Sequence, residues 1–270
     1  MPAGLLLANL VFSAFARMPE ADFLAWGWRV PFLISILLVG VGLVIRLKIL
    51  ETPAFTRIKA TRAEARMPIV EVLRKYPRQV LLAIGARYAE NGSFYIYSSF
   101  VLVYATQHVH MAQTVVLNGI LIASALELPV IPLVGALSDR VGRRPVYLFG
   151  AISTLVLAYP LFRLMDTGST PLVWLALILV FLCSHAVMYA PQAAFLSELF
   201  GTRVRYSGAS LGAQLASVLA GGLSPLIATA LLGYGYARGA LSLYVMGMAA
   251  VTIVAVAVAT ETLSHDIERE

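Results

Sequence analysis

Two glutamates, an arginine and an asparagine lie within apolar stretches of the sequence. Arg87, Glu90 and Asn91 are spaced by three and four residues, which places them on one face of a helix. Glu127 lies in the next apolar stretch. An ionisable group in such a setting is costly and is a candidate for function by default, since an arginine can bind a carboxylate and a buried glutamate can carry a proton. A structural Arg87–Glu90 pair and a packing role for Glu127 are the alternatives.

A second polar group is the segment 135–144, which connects two apolar stretches. Its glycine, acidic and basic residues are Gly135, Asp139, Arg140, Gly142, Arg143 and Arg144. A tight connection needs glycine where the backbone turns, and Asp139 can accept hydrogen bonds from the next helix or pair with an arginine. Glu198, Arg203 and Arg205 precede a later apolar stretch and are expected on the same side. A salt-bridge gate between the two groups is one interpretation, and topology with helix capping is the other.

Further polar side chains within apolar stretches are candidates for the lining of a cavity. They are Tyr95, Tyr97, Asn118, Gln192 and Gln214. Hydrogen bonding between helices explains each of them equally well. His185 has no second histidine, aspartate or cysteine at ligand spacing, so the sequence predicts no metal site, and it indicates no cofactor.

A hydrolase motif is matched in letters only by residues 208–212, which read Gly-Ala-Ser-Leu-Gly. In hydrolases this motif places its serine on a turn from a strand to a helix, with acid and histidine partners later in the chain. Here Ser210 lies in a glycine-rich apolar stretch, where close helix packing is the better explanation. An intramembrane hydrolase using Ser210 is therefore a remote alternative, and we expect no enzyme. Because the chain contains no P-loop, a pump driven directly by ATP is also not expected.

The elements that position these groups follow from composition. The 270 residues are 60% hydrophobic and 13% charged, whereas soluble proteins carry about 25% charged residues. The apolar residues occur in blocks of membrane-spanning length, and backbone groups in a bilayer must pair within each segment. The sequence therefore predicts an all-α membrane protein with about eight transmembrane helices, at 1–16, 28–47, 79–105, 112–136, 145–165, 171–195, 207–232 and 239–260.

The connections between these segments alternate in charge. The arginine-rich connections should lie in the cytoplasm by the positive-inside rule. The net charge of +6 is explained by topology and anionic lipid headgroups, so no nucleic-acid partner is expected. We predict four parts: the helices of 1–47, a cytoplasmic connector at 48–78, a six-helix bundle at 79–260 and a cytoplasmic tail at 261–270.

Segment 135–144 resembles the loop signature of the major facilitator superfamily. Residues 26–32, 51–55 and 191–208 narrow the likeness to its metabolite:proton symporter family, and residues 87–94 and 191–212 are most similar to shikimate-type members. Family members have twelve helices, and this chain resembles the fifth to the twelfth. The resemblance implies a helical bundle of the major facilitator type from which the amino-terminal part is missing.

The resemblance also implies a function. It points to a proton-coupled symporter of a small organic acid or zwitterionic metabolite, acting by alternating access in a bacterial inner membrane. The partners would be the small-molecule substrate, the proton and membrane lipids. Within this hypothesis Arg87 meets a substrate carboxylate or holds a glutamate, and Glu90 or Glu127 carries the proton. A truncated membrane protein that transports nothing is the alternative, since a translocation path between two halves would be incomplete.

Overall fold

The computed structural model describes residues 2–15, 18–48, 68–201, 204–234 and 237–261, and all regular structure in these residues is helical. The chain divides into two compact units, Met1–Glu64 and Ala65–Glu270. Most of the predicted connector at 48–78 lies outside the described residues, as does the predicted tail after residue 261. The four-part division of the chain therefore stays a prediction.

The described residues of the first unit form two long helices. Helix α1 spans Pro2–Phe15 and α2 spans Phe23–Lys48. An edge-to-face contact between the rings of Phe12 and Phe23 joins α1 to the start of α2, with 5.6 Å between centroids. Helix α2 is long and apolar enough to cross a membrane, whereas the 14 residues of α1 fall short of the length that a bilayer requires.

The second unit contains the remaining described helices. A short helix, α3 (Pro68–Lys75), precedes α4 at 77–108, and Pro77 occupies the first position of α4, where its missing N–H costs nothing. The following helices are α5 (Gln113–Val141), α6 (Arg143–Met165), α7 (Thr170–Glu198), α8 (Arg205–Gly233) and α9 (Ala237–Val258).

The predicted fold class is confirmed. By length and composition, six of the described helices could cross a membrane, namely α2 and α5 to α9. Helix α4 is as long as these but is less apolar because it carries Arg87, Glu90 and Asn91. Bulky apolar side chains such as Leu133, Phe149 and Val156 are exposed on the bundle surface, as expected where lipid replaces water.

Helix α4 lies at the centre of the second unit, in contact with α8 and α9, while α6 packs on α7 and α9, and α5 packs on α7. Small residues allow the close approaches. A Cβ atom added to Gly212 of α8 would lie 2.5 Å from the Cβ of Ala83, and one added to Gly85 would lie 2.6 Å from that of Ala255. The predicted packing role of the α8 glycines therefore holds at Gly212.

Among the described residues, four of the long helices contain π-helical stretches, the first of them at Phe23–Gly27 at the start of α2. The others lie at Ile96–Phe100 and Tyr104–His108 in α4, at Val180–His185 in α7 and at Ser217–Gly222 in α8. A π-helical turn has an i→i+5 hydrogen bond, so it shifts the register of the side chains that follow it. His185 is the last residue of the stretch in α7, so its direction is not given by ordinary helical spacing.

The connection between α5 and α6 is shorter than predicted. Helix α5 continues through Val141 and α6 begins at Arg143, which leaves Gly142 alone between them. The sequence placed the helix end near 136 because charged residues follow. Charges outside the apolar core do not end a helix, and the last turns of α5 project into the polar interface. Gly135 is therefore a helical residue, and the prediction that it serves a turn is wrong.

Gly212 tests whether close packing of α4 and α8 stabilises the bundle. We expect Gly212→Ala to lower the free energy of unfolding by about 1–3 kcal/mol, because its new methyl group meets Ala83 at the helix interface. Gly247→Ala in α9 is the matched control, since nothing lies within 4 Å of its added Cβ. Thermal unfolding in detergent measures both, and equal melting temperatures would contradict the prediction.

Candidate functional site

Three ionisable side chains meet in the interior of the second unit. His185 of α7 lies between the two glutamates, with its Nδ1 against Oε1 of Glu127 and its Nε2 3.3 Å from Oε1 of Glu90. All three side chains are fully buried. One imidazole thus bridges carboxylates supplied by α4 and α5. We call Glu90, His185 and Glu127 the buried triad.

Gln192 connects the buried triad to Arg87. Its Oε1 accepts a hydrogen bond from Nη1 of Arg87 at 3.1 Å, and its Nε2 donates to Oε2 of Glu90 at 2.7 Å and to the hydroxyl of Tyr147 at 3.0 Å. The Tyr147 hydroxyl in turn donates to the carbonyl of Ala86 at 3.0 Å. The Nε atom of Arg87 also lies 3.9 Å from Oε2 of Glu90. Gln192 therefore has both ends of its amide occupied.

Aromatic rings enclose the imidazole. Tyr189 stacks on His185 with 5.4 Å between centroids, and Phe94 lies at 4.6 Å with its ring tilted by 32°. Phe181 adds a third contact at 6.3 Å. These rings restrict the orientation of His185 and keep its surroundings apolar, which strengthens every charge interaction within the triad.

The charges of this group balance in one protonation state. Two carboxylates face one guanidinium and one imidazole, so the sum is zero when His185 is an imidazolium and both glutamates are ionised. A buried charge without a partner is strongly unfavourable. Removal of the arginine from the group would therefore leave a negative charge that one added proton neutralises. The arrangement can couple the occupancy of Arg87 to the gain or loss of a proton.

The structure brings together three of the four residues proposed for binding and coupling, namely Arg87, Glu90 and Glu127. Asn91 is turned away from them and faces α8. A Cβ atom added to Gly221 of α8 would lie 2.1 Å from Oδ1 of Asn91. Adjacent residues on a helix point about 100° apart, so the shared face predicted for Glu90 and Asn91 does not survive packing.

The proposed cavity-lining residues divide into two sets. Gln192 and Tyr97 are buried within the bundle, and Gln192 belongs to the site itself. Tyr95, Asn118 and Gln214 lie on exposed faces. The prediction of one shared cavity for all five residues is not supported by the side chains that the structure describes.

Two residues of the site were missed by sequence analysis. His185 was interpreted as a packed or pore-facing imidazole and not as a partner of the glutamates, although an ionisable residue in an apolar helix seven residues from Gln192 was the available signal. Tyr147 gave no signal, because a tyrosine in an apolar helix is common and its hydroxyl finds Gln192 only through tertiary packing.

The connection between α5 and α6 carries Arg140, Arg143 and Arg144 and is called the arginine-rich connection here. At this connection the carboxylate of Glu261 caps the start of α6. It accepts hydrogen bonds from the backbone N–H groups of Arg143 at 3.0 Å and Arg144 at 3.1 Å. Gly142 has φ of +115°, and a Cβ there would lie 2.7 Å from Oε2 of Glu261. Only glycine satisfies both the backbone conformation and this approach. The sequence interpretation treated Glu261 as the start of a tail and missed the cap.

Arg143 is the centre of the side-chain contacts at this connection. It pairs with Asp139, and its Nε lies 3.7 Å from Oε1 of Glu198. Arg144 instead donates from its Nε to the carbonyl of Val256 at 3.1 Å. The remaining proposed gate residues differ, since Arg140 is exposed, Nε of Arg205 donates to the carbonyl of Phe200 at 3.4 Å, and Arg203 lies outside the described residues.

Comparison with known proteins agrees with this architecture. Residues 3–225 match the Major Facilitator Superfamily. A shikimate transporter of Escherichia coli K12 is 36% identical over 86% of this chain and 53% of its own length. An inner membrane metabolite transport protein of the same strain is 31% identical over 97% of the chain and 60% of its own. A proline/betaine transporter is 32% identical over 84% and 47%. The chain thus spans about half the length of these relatives.

The bridging role of His185 is testable by stability. We expect His185→Gln to lower the free energy of unfolding by about 3–5 kcal/mol, because two buried carboxylates lose the cation between them. Adding Glu127→Gln to this variant should recover part of the loss, since one of the two charges is removed. His108→Gln, at a partly exposed histidine, is the control. Chemical or thermal unfolding of the three proteins measures the effect. No recovery in the double variant would show that the charge bridge is not what His185 contributes.

The two glycines of segment 135–144 should respond differently to the same change. Gly142→Ala is expected to cost about 1–3 kcal/mol through backbone strain, and it also disturbs the Glu261 cap. Gly135→Ala should be neutral or slightly stabilising, because Gly135 is helical and nothing lies within 4 Å of its added Cβ. Melting temperatures of the two variants decide the matter, and equal sensitivity would contradict the structure.

Proposed function

Since the chain belongs to the major facilitator superfamily, we propose that it forms the larger part of a proton-coupled symporter for a small carboxylate-bearing metabolite. Family membership confirms the expected multi-pass integral membrane protein, and also the expectation that the chain is not an enzyme, because its relatives are transporters. The hydrolase alternative is excluded on the same ground. Ser210 also lies inside helix α8 and not on a turn from a strand to a helix.

The observation that carries the proposal is the buried triad joined to a partly accessible arginine. Arg87 retains 19% side-chain exposure, whereas the side chain of Glu90 has none. A carboxylate of a substrate can therefore reach Arg87 and form the paired hydrogen bonds that a guanidinium favours. It would compete for Arg87 with Gln192 and Glu90, which are its partners in this conformation.

Charge balance gives the coupling step. When a substrate carboxylate takes Arg87, the triad loses a positive charge from its surroundings, and Glu90 becomes a buried anion with too little compensation. One proton then restores neutrality. The transfer moves a proton from water to a carboxylate oxygen of the triad, and release of the substrate returns Arg87 to Glu90 and frees the proton. The mechanism predicts one proton for each substrate carboxylate that binds Arg87.

The class of substrate is inferred from the same contact. Shikimate, proline and betaine, which appear in the names of the relatives, each carry one carboxylate. A site built on Arg87 accepts that shared group, whether the rest of the molecule is neutral or cationic. A relative named as an inner membrane protein supports the proposal that this chain works in a bacterial inner membrane.

Alternating access requires a contact that forms in one state and breaks in another. Arg143, held between Asp139 and Glu198 at the arginine-rich connection, is suited to this role. Its ion pairs join the α5–α6 connection to the end of α7. We propose that they close the cytoplasmic side of the bundle in the present conformation.

A membrane protein without transport activity is the second candidate. The chain spans about half the length of its relatives, so the activity of the given chain has to be measured directly. The two candidates are separated by measuring uptake with the chain alone and with the chain co-expressed with the amino-terminal part of the shikimate transporter. Uptake in neither case would support the inactive protein.

Uptake of labelled shikimate, proline, betaine, citrate and a dicarboxylate tests the proposed function. We expect an inward proton gradient to drive accumulation of at least one of these compounds. Arg87→Lys should reduce binding at least tenfold because lysine lacks the paired geometry of a guanidinium. Glu90→Gln or Glu127→Gln should abolish accumulation against the gradient while exchange of labelled for unlabelled substrate persists, because exchange needs no net proton movement.

Glu71→Gln is the control for these variants, since Glu71 pairs with Lys75 on α3, away from the triad. It should accumulate substrate like the unmodified protein. If gradient-driven uptake were unchanged in both triad variants, the buried triad would have no part in coupling and the proposal would fail.

A further inference from the structure

Several buried hydroxyl groups around the triad have no hydrogen-bond partner of normal geometry among the described residues. They are those of Ser93, Tyr97, Ser124 and Ser184, and the Oε2 atom of Glu127 shares this property. The four side chains are 0% exposed. Buried hydroxyls elsewhere in the same unit are bonded, as Thr154 is to the carbonyl of Gly150 at 3.0 Å. Apart from Oδ1 of Asn91, which faces α8, the unpartnered side-chain oxygens of the described second unit thus belong to the triad or lie near it.

The hydroxyls of Ser93, Tyr97 and Ser124 are displaced toward one side of the triad. Helix α4 begins on the cytoplasmic side, where the arginine-rich connection lies, and runs toward the external side. Ser93 and Tyr97 are therefore displaced from Glu90 by about 4.5 and 10 Å toward the external side. Helix α5 runs in the opposite direction, and Ser124 precedes Glu127 by about 4.5 Å, again toward the external side. Spacings of three residues keep the Ser93 and Ser124 hydroxyls on the faces that Glu90 and Glu127 occupy.

The other side of the triad differs. Gln192 and Tyr147 lie toward the cytoplasm, and the hydrogen bonds of the Gln192 amide are all made within the protein. An unpartnered buried hydroxyl costs about 1–3 kcal/mol, and native proteins commonly meet this cost with ordered water bonded to two to four such groups. The external side of the triad has several oxygens of this kind, carried by three helices that contact one another.

We infer that helices α4, α5 and α7 bind a small group of ordered water molecules on the external side of the triad, and that protons reach Glu127 and Glu90 through them. Binding of water follows from the unpartnered oxygens alone, whereas proton delivery rests on the proposed function. In the relay, each hydroxyl accepts a proton from one water and passes its own to the next. At each hydroxyl and each water one O–H bond forms as another breaks. The sum of the steps is the loss of one proton from the external water and the formation of one O–H bond at a carboxylate oxygen.

Tyr97 is the residue best placed to control this route. Farther along α4, Tyr104 donates to Asp166 of the external loop at 2.5 Å. Buried Phe100 lies between the two tyrosines along the chain. The water group is therefore separated from the external surface in this conformation and opens only when α4 moves.

Hydroxyl-deletion variants of the full chain in lipid nanodiscs test the binding of water. Infrared difference spectra recorded in ordinary and oxygen-18 water identify bands of bound water. We expect these bands to weaken by at least half in Tyr97→Phe and Ser124→Ala, and the melting temperature to fall by about 2–4 °C for each. Ser98→Ala is the control, because the Ser98 hydroxyl is bonded to the carbonyl of Phe94 at 2.7 Å. It should leave the bands intact.

Unchanged water bands in both variants, or melting temperatures that rise when the hydroxyls are removed, would overturn the inference. A dry hydroxyl without a partner is better replaced by an apolar group, so a rise in stability is the expected sign of a dry interior.

Proton delivery is measured separately. After a rapid drop in external pH, protonation of the triad carboxylates should slow at least tenfold in Tyr97→Phe and should be unaffected in Ser98→Ala. Substrate exchange should be normal in both. An unchanged protonation rate in Tyr97→Phe would exclude the external route. Failure of the proposed function would be seen elsewhere, as gradient-driven uptake that survives Glu90→Gln and Glu127→Gln, and it would leave the water bands in place.

Discussion

The requirement that buried charges be compensated governs the interior of this protein. A membrane-embedded bundle offers no bulk water to solvate a carboxylate, so Glu90 and Glu127 can stay ionised only beside cations. His185 and Arg87 supply them, and Gln192 holds the arginine and Glu90 in register through its two amide ends. The cations that stabilise this group also set its net charge. A ligand that pairs with Arg87 therefore changes the number of protons that the triad must bind to stay neutral.

This constraint explains why α4 is central. The helix carries Arg87 and Glu90 and is the least apolar of the long helices in the second unit, so it is held by surrounding helices on several sides. Small residues make those contacts close, as at Gly212 against Ala83. Thr252 of α9 adds polar contacts, donating to the carbonyl of Gly85 at 2.7 Å and accepting from the backbone N–H of Ala89 at 2.9 Å. Close packing on α8 and α9 leaves the charged face of α4 for α5 and α7.

The arginine-rich connection shows a different use of charge. Glu261, at the end of the described chain, caps the first backbone amides of α6, and Arg144 reaches back to carbonyl groups at the end of α9. These reciprocal contacts join the start of one helix to the end of another without involving the triad. The bundle thus has one charged group in its interior and another at its surface, and the proposed function assigns proton coupling to the first and closure of the cytoplasmic side to the second.

The amino-acid sequence by itself determined the class of fold, the family and the location of the ionisable residues, because apolar blocks of membrane-spanning length and a ten-residue loop pattern are local properties of the chain. Sequence spacing also brought Arg87 near Glu90, since both lie on one helix. It could not pair Glu127 with His185, separate Asn91 from its neighbours or find Tyr147 and Glu261. Those contacts join residues far apart in the chain, and they depend on which faces of the helices meet and on the π-helical register of α7. Only the tertiary structure decides these things, because helix packing and not the order of residues fixes which side chains share a low-dielectric space.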